Sequence, residues 1–395
     1  MKIGVFTPTH SSQWLADCHT SLLRQTGVAW SWTVVPNGAL DESDIPLALR
    51  RDPRVQVRPY PASNSPVGIG ALKKFACDHA LSDPAVTAVL ELDHDDMLLP
   101  GALSDAAQAL QAGAGFVYSD VACFLGDQYR AQTYSPQHGW RSAPLRIYGH
   151  PLLRTLNFPL TPASLRSIHY SPDHFRCWSR HAYEVTGGHD AKLLVGDDHD
   201  LLCRTYLLGE KFAYTNRCGY LYRFHETNSV KTLSPEIQKQ DAHNRNVYLR
   251  DLVRVWGERE DAPWGDLQEW WDAGWNITQG SCPVADNSLT YIRAFNCLQK
   301  YSEADVHEFM RQAYRALRPG GFLMLDVPLE GAPAHASHRT LFREDSFQQF
   351  DGQFATANLK KIKTRRYSPE ADRVYLQGDF IALKGQRCPG RAAAL

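Results

Sequence analysis

The sequence predicts an α/β protein of two domains, and three features carry that expectation. Short apolar runs rich in β-branched residues alternate with helix-period segments from Lys2 onward; one of these runs, Val86–Leu92, ends abruptly at a cluster of acids; and a second alternation of the same kind begins beyond residue 263. At 395 residues with 43% apolar content, the chain is longer than one ordinary core needs and can fill two.

The first domain opens β-α-β. Lys2–Thr7 reads as a strand stopping at Pro8, Trp14–Leu23 has apolar residues at helical spacing, and Trp32–Val35 is the next strand. It closes on Pro36-Asn37-Gly38, a turn signal that leaves Asn37 at a strand tip, where its amide can meet a nucleobase edge or simply form the turn. Val55–Val57 predicts a short third strand. Pro66–Gly70 (PVGIG) then forms a glycine-containing loop into a helix over Ala71–Leu81, with Lys73 and Lys74 in its first turns. A helix N-terminus with lysines beside it suits a diphosphate, and a solvated face is the plain alternative.

Val86–Leu92 runs into Asp93-His94-Asp95-Asp96. Acids crowded on one strand tip repel one another and call for a cation. Carboxylates suit Mg²⁺ or Mn²⁺, and ligands of open α/β sheets collect beyond the carboxyl ends of strands. A solvated acidic turn is the competing reading. Further on, Gly196–Leu201 (GDDHDL) holds an adjacent carboxylate pair, Asp197 and Asp198, which leaves one acid room for a raised pKa and hence for general-base work. The same acids also suit the N-terminus of a helix starting near Asp200.

Taken in order, FTPTH, SLLRQT, VVPNG, the glycine loop, LELDHDDMLLPGAL, FVYSD (116–120) and TGGHDAKLLVGDDHDLLCRTYLLGEKF resemble a family 2 glycosyltransferase of the GT-A fold, over roughly residues 1 to 230. The resemblance implies a metal-dependent, inverting transfer of a sugar from a nucleotide-sugar, with a UDP-sugar as the expected donor, to a hydroxyl. It implies that Asp93 contacts the donor and shares the cation with Asp95, that Asp96 supports them, and that His225 in YLYRFHETNS (220–229) is a further metal ligand. Thr7, Pro8, Asn37, Lys73, Lys74 and Arg223 complete the implied donor site, Arg223 facing the diphosphate. Asp198 is the implied catalytic base, with Asp197 where glutamate is more usual. Asn37 stands where the family commonly has an acid, which leaves the identity of the base open.

Tyr129–His181 contains seven arginines (130, 141, 146, 154, 166, 176, 180) and a single acid, Asp173, interleaved with aromatics. Arginine with aromatics suits phosphates and stacked rings. In the resembled fold this region shapes the acceptor site, which implies an anionic acceptor with Arg176, Trp178 and Arg180 among its contacts; DNA carrying hydroxymethylated pyrimidines is one such acceptor. Arginines paired with acids inside the fold are the alternative.

The expected organisation is a GT-A domain over 1–232, a helical linker over 233–262, a smaller α/β domain over 263–388 and a frayed tail, 389–395. The second domain resembles the later half of a class I S-adenosylmethionine-dependent methyltransferase, on the helix Glu303–Leu317, the turn Arg318-Pro319-Gly320-Gly321 and the strand Phe322–Val327. Gly274 and Gly280 do not make the cofactor's glycine loop, so a truncated, noncatalytic module for dimerisation or acceptor handling is expected, with Trp270, Trp271 and Trp275 in its core or on a contact surface. The formal charge of −1 points to no polyanionic partner for the chain as a whole. Nine cysteines without a CxxC pair disfavour a disulfide framework or zinc site. No apolar leader follows Met1-Lys2 and no run reaches the length of a membrane span, so the expected location is cytoplasmic. The competing functions are transfer to a cell-surface polysaccharide or lipid-linked glycan, a methyltransferase with an appended nucleotide-binding domain, and a noncatalytic nucleic-acid-binding protein.

Overall fold

Backbone hydrogen bonding joins the apolar runs of the first half into one sheet. The computed structural model describes residues 1–61, 67–126, 128–134, 140–158, 160, 165, 172–259, 263–272, 284–329, 338–364, 367 and 373–384, and the chain divides into two compact units, Met1–Leu252 and Val253–Leu395. Among the described residues no helix is long and apolar enough to cross a membrane.

In the first unit the strands are β1 (Lys2–Thr9), β2 (Ala29–Pro36), β3 (Val55–Val57), β4 (Val86–Glu91), β5 (Met97–Leu98), β6 (Phe116–Leu125), β7 (Arg130–Gln132), β8 (Arg141–Ile147), β9 (His150–Leu156), β10 (Arg176–Ser179) and β11 (Phe212–Phe224). The spatial order is β3-β2-β1-β4-β10-β6-β11-β5, with β7 and the β8–β9 hairpin attached to β6. β1 to β4 are parallel, so the tips of β1, β2 and β4 share one edge. β10 enters antiparallel between β4 and β6, pairing Cys177 with Leu90. That insertion matters for the site, because it sets Arg176, the first residue of β10, beside Glu91, the last of β4. Ile3, Val5, Trp32, Leu90 and Val117 are buried in the core of this unit.

Two local differences from the sequence reading follow from close packing. The helix expected from Ala71 starts at Ile69, and its Ile69 and Gly70 N–H groups donate to the carbonyls of Leu194 and Leu193, each at 3.2 Å. A Cβ at Gly70 would lie 2.2 Å from the Asp190 carbonyl oxygen. The glycines of PVGIG, as far as they are described, therefore admit the 190–194 loop rather than a phosphate. The second acidic helix begins at Asp197, three residues before the expected start, because Gly196 takes φ +69° immediately ahead of it.

In the second unit β12 (Trp264–Asp266), β13 (Leu289–Phe295), β14 (Leu317–Pro328), β15 (Phe354–Thr364) and β16 (Arg373–Ala382) order as β12-β13-β14-β16-β15. The helix Glu303–Ala316 is started by a Ser302–Asp305 capping box and leads directly into β14. Arg318-Pro319-Gly320-Gly321 is an irregularity inside β14 rather than a turn before it: the register jumps from Leu317 to Phe322 against Leu289 and Tyr291, with Gly320 at φ +75°. Trp270 packs against this unit's core and Trp264 stacks on Tyr291. Gly274, Trp275, Gly280 and the tail 389–395 lie outside the described residues.

Gly70→Ala is expected to lower stability by about 1–3 kcal/mol, since a backbone carbonyl occupies the space of the added methyl. A urea melt of the variant beside the parent chain measures this.

Candidate active site

Beyond the shared edge of β1, β2 and β4 lies a cleft of about 510 Å³, lined by Pro8, Asn37, Lys73, Asp93, Asp95, His174, Arg176, Asp197 and Asp198 among others. Residues separated by a hundred positions in the chain thus face one space. Two cations of its wall meet at Glu91, a fully buried acid that does not itself line the cleft and is absent from the sequence expectations. Lys73 makes a short ion pair with it, and the Arg176 Nε lies 3.2 Å from its other oxygen. Each cation reaches a second acid: Lys73 Nζ is 3.5 Å from Asp197 Oδ2, and Arg176 makes a short ion pair with Asp198. A buried ion pair survives only when its charges are mutually compensated, and here two cations and three carboxylates do so in a chain.

The carboxylate pair is divided by its surroundings. The Asp197 side chain is 2% exposed and also meets His189 Nδ1 at 2.8 Å, whereas the Asp198 side chain is 30% exposed and opens to the cleft. Asp198 is therefore the acid of the pair that an acceptor can reach. Its protonation differs from the expectation of a raised pKa: burial pushes the carboxyl up, but the Arg176 guanidinium and the Lys73 ammonium outweigh burial and hold it well below the usual carboxylate range. Asp198 is held ionised, a proton acceptor in the correct charge state.

His174 was also missed. Burial and the Arg176 charge push its imidazole down, but Asp93 and Asp173 more than reverse this and raise it to about 10. It sits between Asp173 Oδ1 at 3.0 Å and Asp93 Oδ2 at 3.2 Å, while the Tyr134 hydroxyl donates to Asp173. His174 is thus a buried cation at the cleft wall. Behind Asp198 a second cavity of about 100 Å³ has Tyr134, Tyr222, Phe224 and Leu202 in its lining.

The acidic tip sorts its members in the same way. Asp95 Oδ2 lies 2.7 Å from His225 Nε2, and Asn228 Nδ2 is within 3.5 Å of the same oxygen. His10 and His94 also line the cleft here, their rings 4.7 Å apart. Asp96 is buried, its carboxyl raised by burial and by Asp95 and Asp93, and accepts the Arg223 backbone N–H at 2.7 Å. A divalent cation can be tested against two donor sets. Glu91, Asp93 and His174 bring ligand atoms within 4.8 Å of one another, but Lys73 and Arg176 already neutralise Glu91 and both ring nitrogens of His174 are engaged by Asp173 and Asp93, so that set does not fit. Asp95 with His225 fits in ligand type: the carboxylate, which lines the cleft, and the imidazole lie 2.7 Å apart, a hard and a borderline ligand suited to Mn²⁺.

Several expected site residues lie elsewhere. Lys74 points outward to Asp78 at 3.3 Å, one helical turn along. Arg180 donates to the carbonyls of Val86, Leu81 and Asp83 at the opposite end of β4, and Trp178 is fully buried with its Nε1–H donating to Thr205. Neither can touch an acceptor. Arg223 does not face the cleft: its Nε–H donates to the Asp95 carbonyl at 2.8 Å and Nη2 pairs with Asp17 at 2.7 Å, so it braces the acidic loop from behind. Thr7 is buried, its hydroxyl donating to the Leu92 carbonyl at 2.6 Å. Asn37 reaches the cleft with its amide N–H donating to the Thr9 carbonyl at 2.9 Å. One signal for Glu91 was present, an acid in the apolar stretch VLELD; nothing in the sequence pattern pointed to His174.

No protein-family model matches this chain, and no curated protein matches it. Several solved structures align with parts of the chain. S. aureus TarS 1-349 aligns over 71% of this chain and 77% of that chain at 15% identity, with a TM-score of 0.44. The same TarS fragment in complex with UDP-GlcNAc aligns over 66% and 73% at 14% identity, with a TM-score of 0.43. GalNAc-T7 with UDP, GalNAc and Mn²⁺ aligns over 57% of this chain and 44% of that chain at 10% identity, with a TM-score of 0.42.

Asp95→Asn and His225→Ala are each expected to weaken Mn²⁺ binding about tenfold or more, read by isothermal titration. Arg176→Gln removes a charge that depresses Asp198, so the acid limb of any pH–rate profile moves to higher pH, by about one pH unit or more. An unmoved limb would place the base elsewhere.

Proposed function

We propose that the first unit transfers a sugar from a nucleotide-sugar to a hydroxyl, with inversion at the anomeric carbon and a divalent cation held by Asp95 and His225, with Asp93 beside them. The observation that carries this reading is the convergence of Asp93 and Asp95 of the acidic tip and of Asp198 on one cleft. The motif series from FTPTH to GDDHDL supports it independently. The cation, when bound, supplies charge neutralisation for the departing diphosphate.

The chain's own residues do the rest. Asp198, kept ionised by Arg176, takes the proton from the acceptor hydroxyl as its oxygen attacks the anomeric carbon. One base and one displacement suffice, which is the reason for inversion. The positive charges of Arg176 and His174 at the cleft wall stabilise negative charge gathering on the leaving group. Pro8 and Asn37 line the donor end, and a UDP-sugar is the expected donor.

A second reading of the acceptor, a hydroxymethylated pyrimidine in DNA, draws on the exposed side chains of Arg130, Arg141 and Arg146. Its signature is duplex binding that weakens steeply with salt, and absence of affinity removes it. Arg154, Arg176 and Arg180 do not serve it, since each is engaged within the fold. The second unit is read as a noncatalytic, methyltransferase-like module.

Turnover of UDP-sugars with Mn²⁺ tests the proposal. Asp198→Asn is expected to cut it by about 10²-fold or more. Turnover unchanged by both Asp198→Asn and Asp95→Asn rules the reading out.

A further inference from the structure

Leu194 is 66% exposed and Leu233 41% exposed, yet both line the cleft, together with Val195, Val230 and Ile237. Large apolar side chains left exposed around a concave site mark contact with a ligand. The two segments that carry them are held together beside the proposed base. Asn244, on the helix Ser234–Arg259, donates from Nδ2 to the Gly196 carbonyl at 2.9 Å, and Asp241 of that helix pairs with His199 Nδ1 at 2.9 Å. The aliphatic residues at 194–195 and 230–237 therefore flank the entry to Asp198.

Charge narrows the choice of occupant. Lys73, Arg176, His174 and His199, which line the cleft, are each paired with an acid of the same lining, Asp197, Asp198, Asp93 and Asp241 respectively. Lys73 and Arg176 are already held in ion pairs with Glu91 and Asp198. A divalent cation and the diphosphate it accompanies bring opposite charges that largely cancel. An anionic acceptor would find these cations already committed to acids, whereas a neutral hydroxyl on an aliphatic chain would meet complementary apolar surface.

We infer that the acceptor is a neutral hydroxyl compound with an aliphatic chain, the chain lying on Leu194, Val195, Val230, Leu233 and Ile237 and the hydroxyl at Asp198. The inference rests on the glycosyl-transfer reading of the same cleft. In the reaction the acceptor oxygen bonds to the anomeric carbon, the bond from that carbon to the diphosphate oxygen breaks with its electron pair leaving on the nucleoside diphosphate, and the hydroxyl proton passes to the Asp198 carboxylate.

Saturation-transfer NMR on the full chain, with octyl β-glucoside below its micelle threshold and methyl β-glucoside as the polar control, tests this. The octyl compound is expected to bind and the methyl compound to bind at least about tenfold more weakly, the worth of roughly two buried methylenes. Leu194→Asp and Leu233→Asp, both at exposed positions that leave the core intact, are each expected to abolish the preference. Equal binding of the two glucosides, or octyl binding unaffected by both substitutions, overturns the inference. Salt-sensitive binding of duplex DNA with no octyl preference overturns it in favour of the nucleic-acid acceptor. Octyl preference lost in the aspartate variants, alongside donor turnover indifferent to Asp198→Asn, keeps the aliphatic surface and rejects the transfer reading.

Discussion

The first unit depends on a chain of buried charges in which Glu91 is the hinge. A carboxylate fully removed from water at the end of a central strand costs several kcal/mol unless cations reach it. Lys73 comes from the helix Ile69–Leu81 and Arg176 from the antiparallel strand β10, so the requirement of one acid fixes two elements against β4. Each cation then has a second acid to satisfy, and these are Asp197 and Asp198 at the start of a third element. The sheet edge, the two helices and the proposed base are thereby set relative to one another by electrostatics as much as by apolar packing.

The acidic tip is braced from behind in a comparable way. Cys18 Sγ lies 3.2 Å and 3.1 Å from the carbonyls of His94 and Asp96, while Arg223 holds the Asp95 carbonyl with its side chain and the Asp96 carboxyl with its backbone. Burial raises the Cys18 thiol well above its ordinary range, which keeps it a proton donor to those carbonyls. With the backbone bound this tightly, the Asp93 and Asp95 side chains are turned toward the cleft, and Asp96 inward. Repulsion among the three acids is relieved by separation of roles: one is buried with its carboxyl pushed up toward the neutral form, one pairs with His174, and one meets His225.

Much of this was legible in residue order. The alternation of strands and helices, the acidic tip and the carboxylate pair follow from local pattern, because a strand tip and a helix start are properties of a few consecutive residues, whereas His225 was expected only from the family resemblance. Side-chain direction is not. Lys73 and Lys74 are neighbours with the same charge, yet one is buried on two acids and the other pairs in solvent with Asp78, a hundred degrees around the helix. Arg176, Trp178 and Arg180 read alike as an acceptor surface, but only Arg176, the first residue of β10, lines the cleft; Trp178 lies further along the buried strand and Arg180 begins the helix after it.

Composition and periodicity by themselves determined that this chain would build two α/β cores and would carry acids at a strand end, since hydrophobic spacing and charge crowding act within short windows. Tertiary structure alone decided which acids stay charged, which cations they hold, and that Leu194 and Leu233 stand beside Asp198. The physical reason is that the energy of a charge or an apolar side chain depends on what is brought within a few ångströms of it, and for Glu91, His174 and Asp198 those neighbours come from distant parts of the chain.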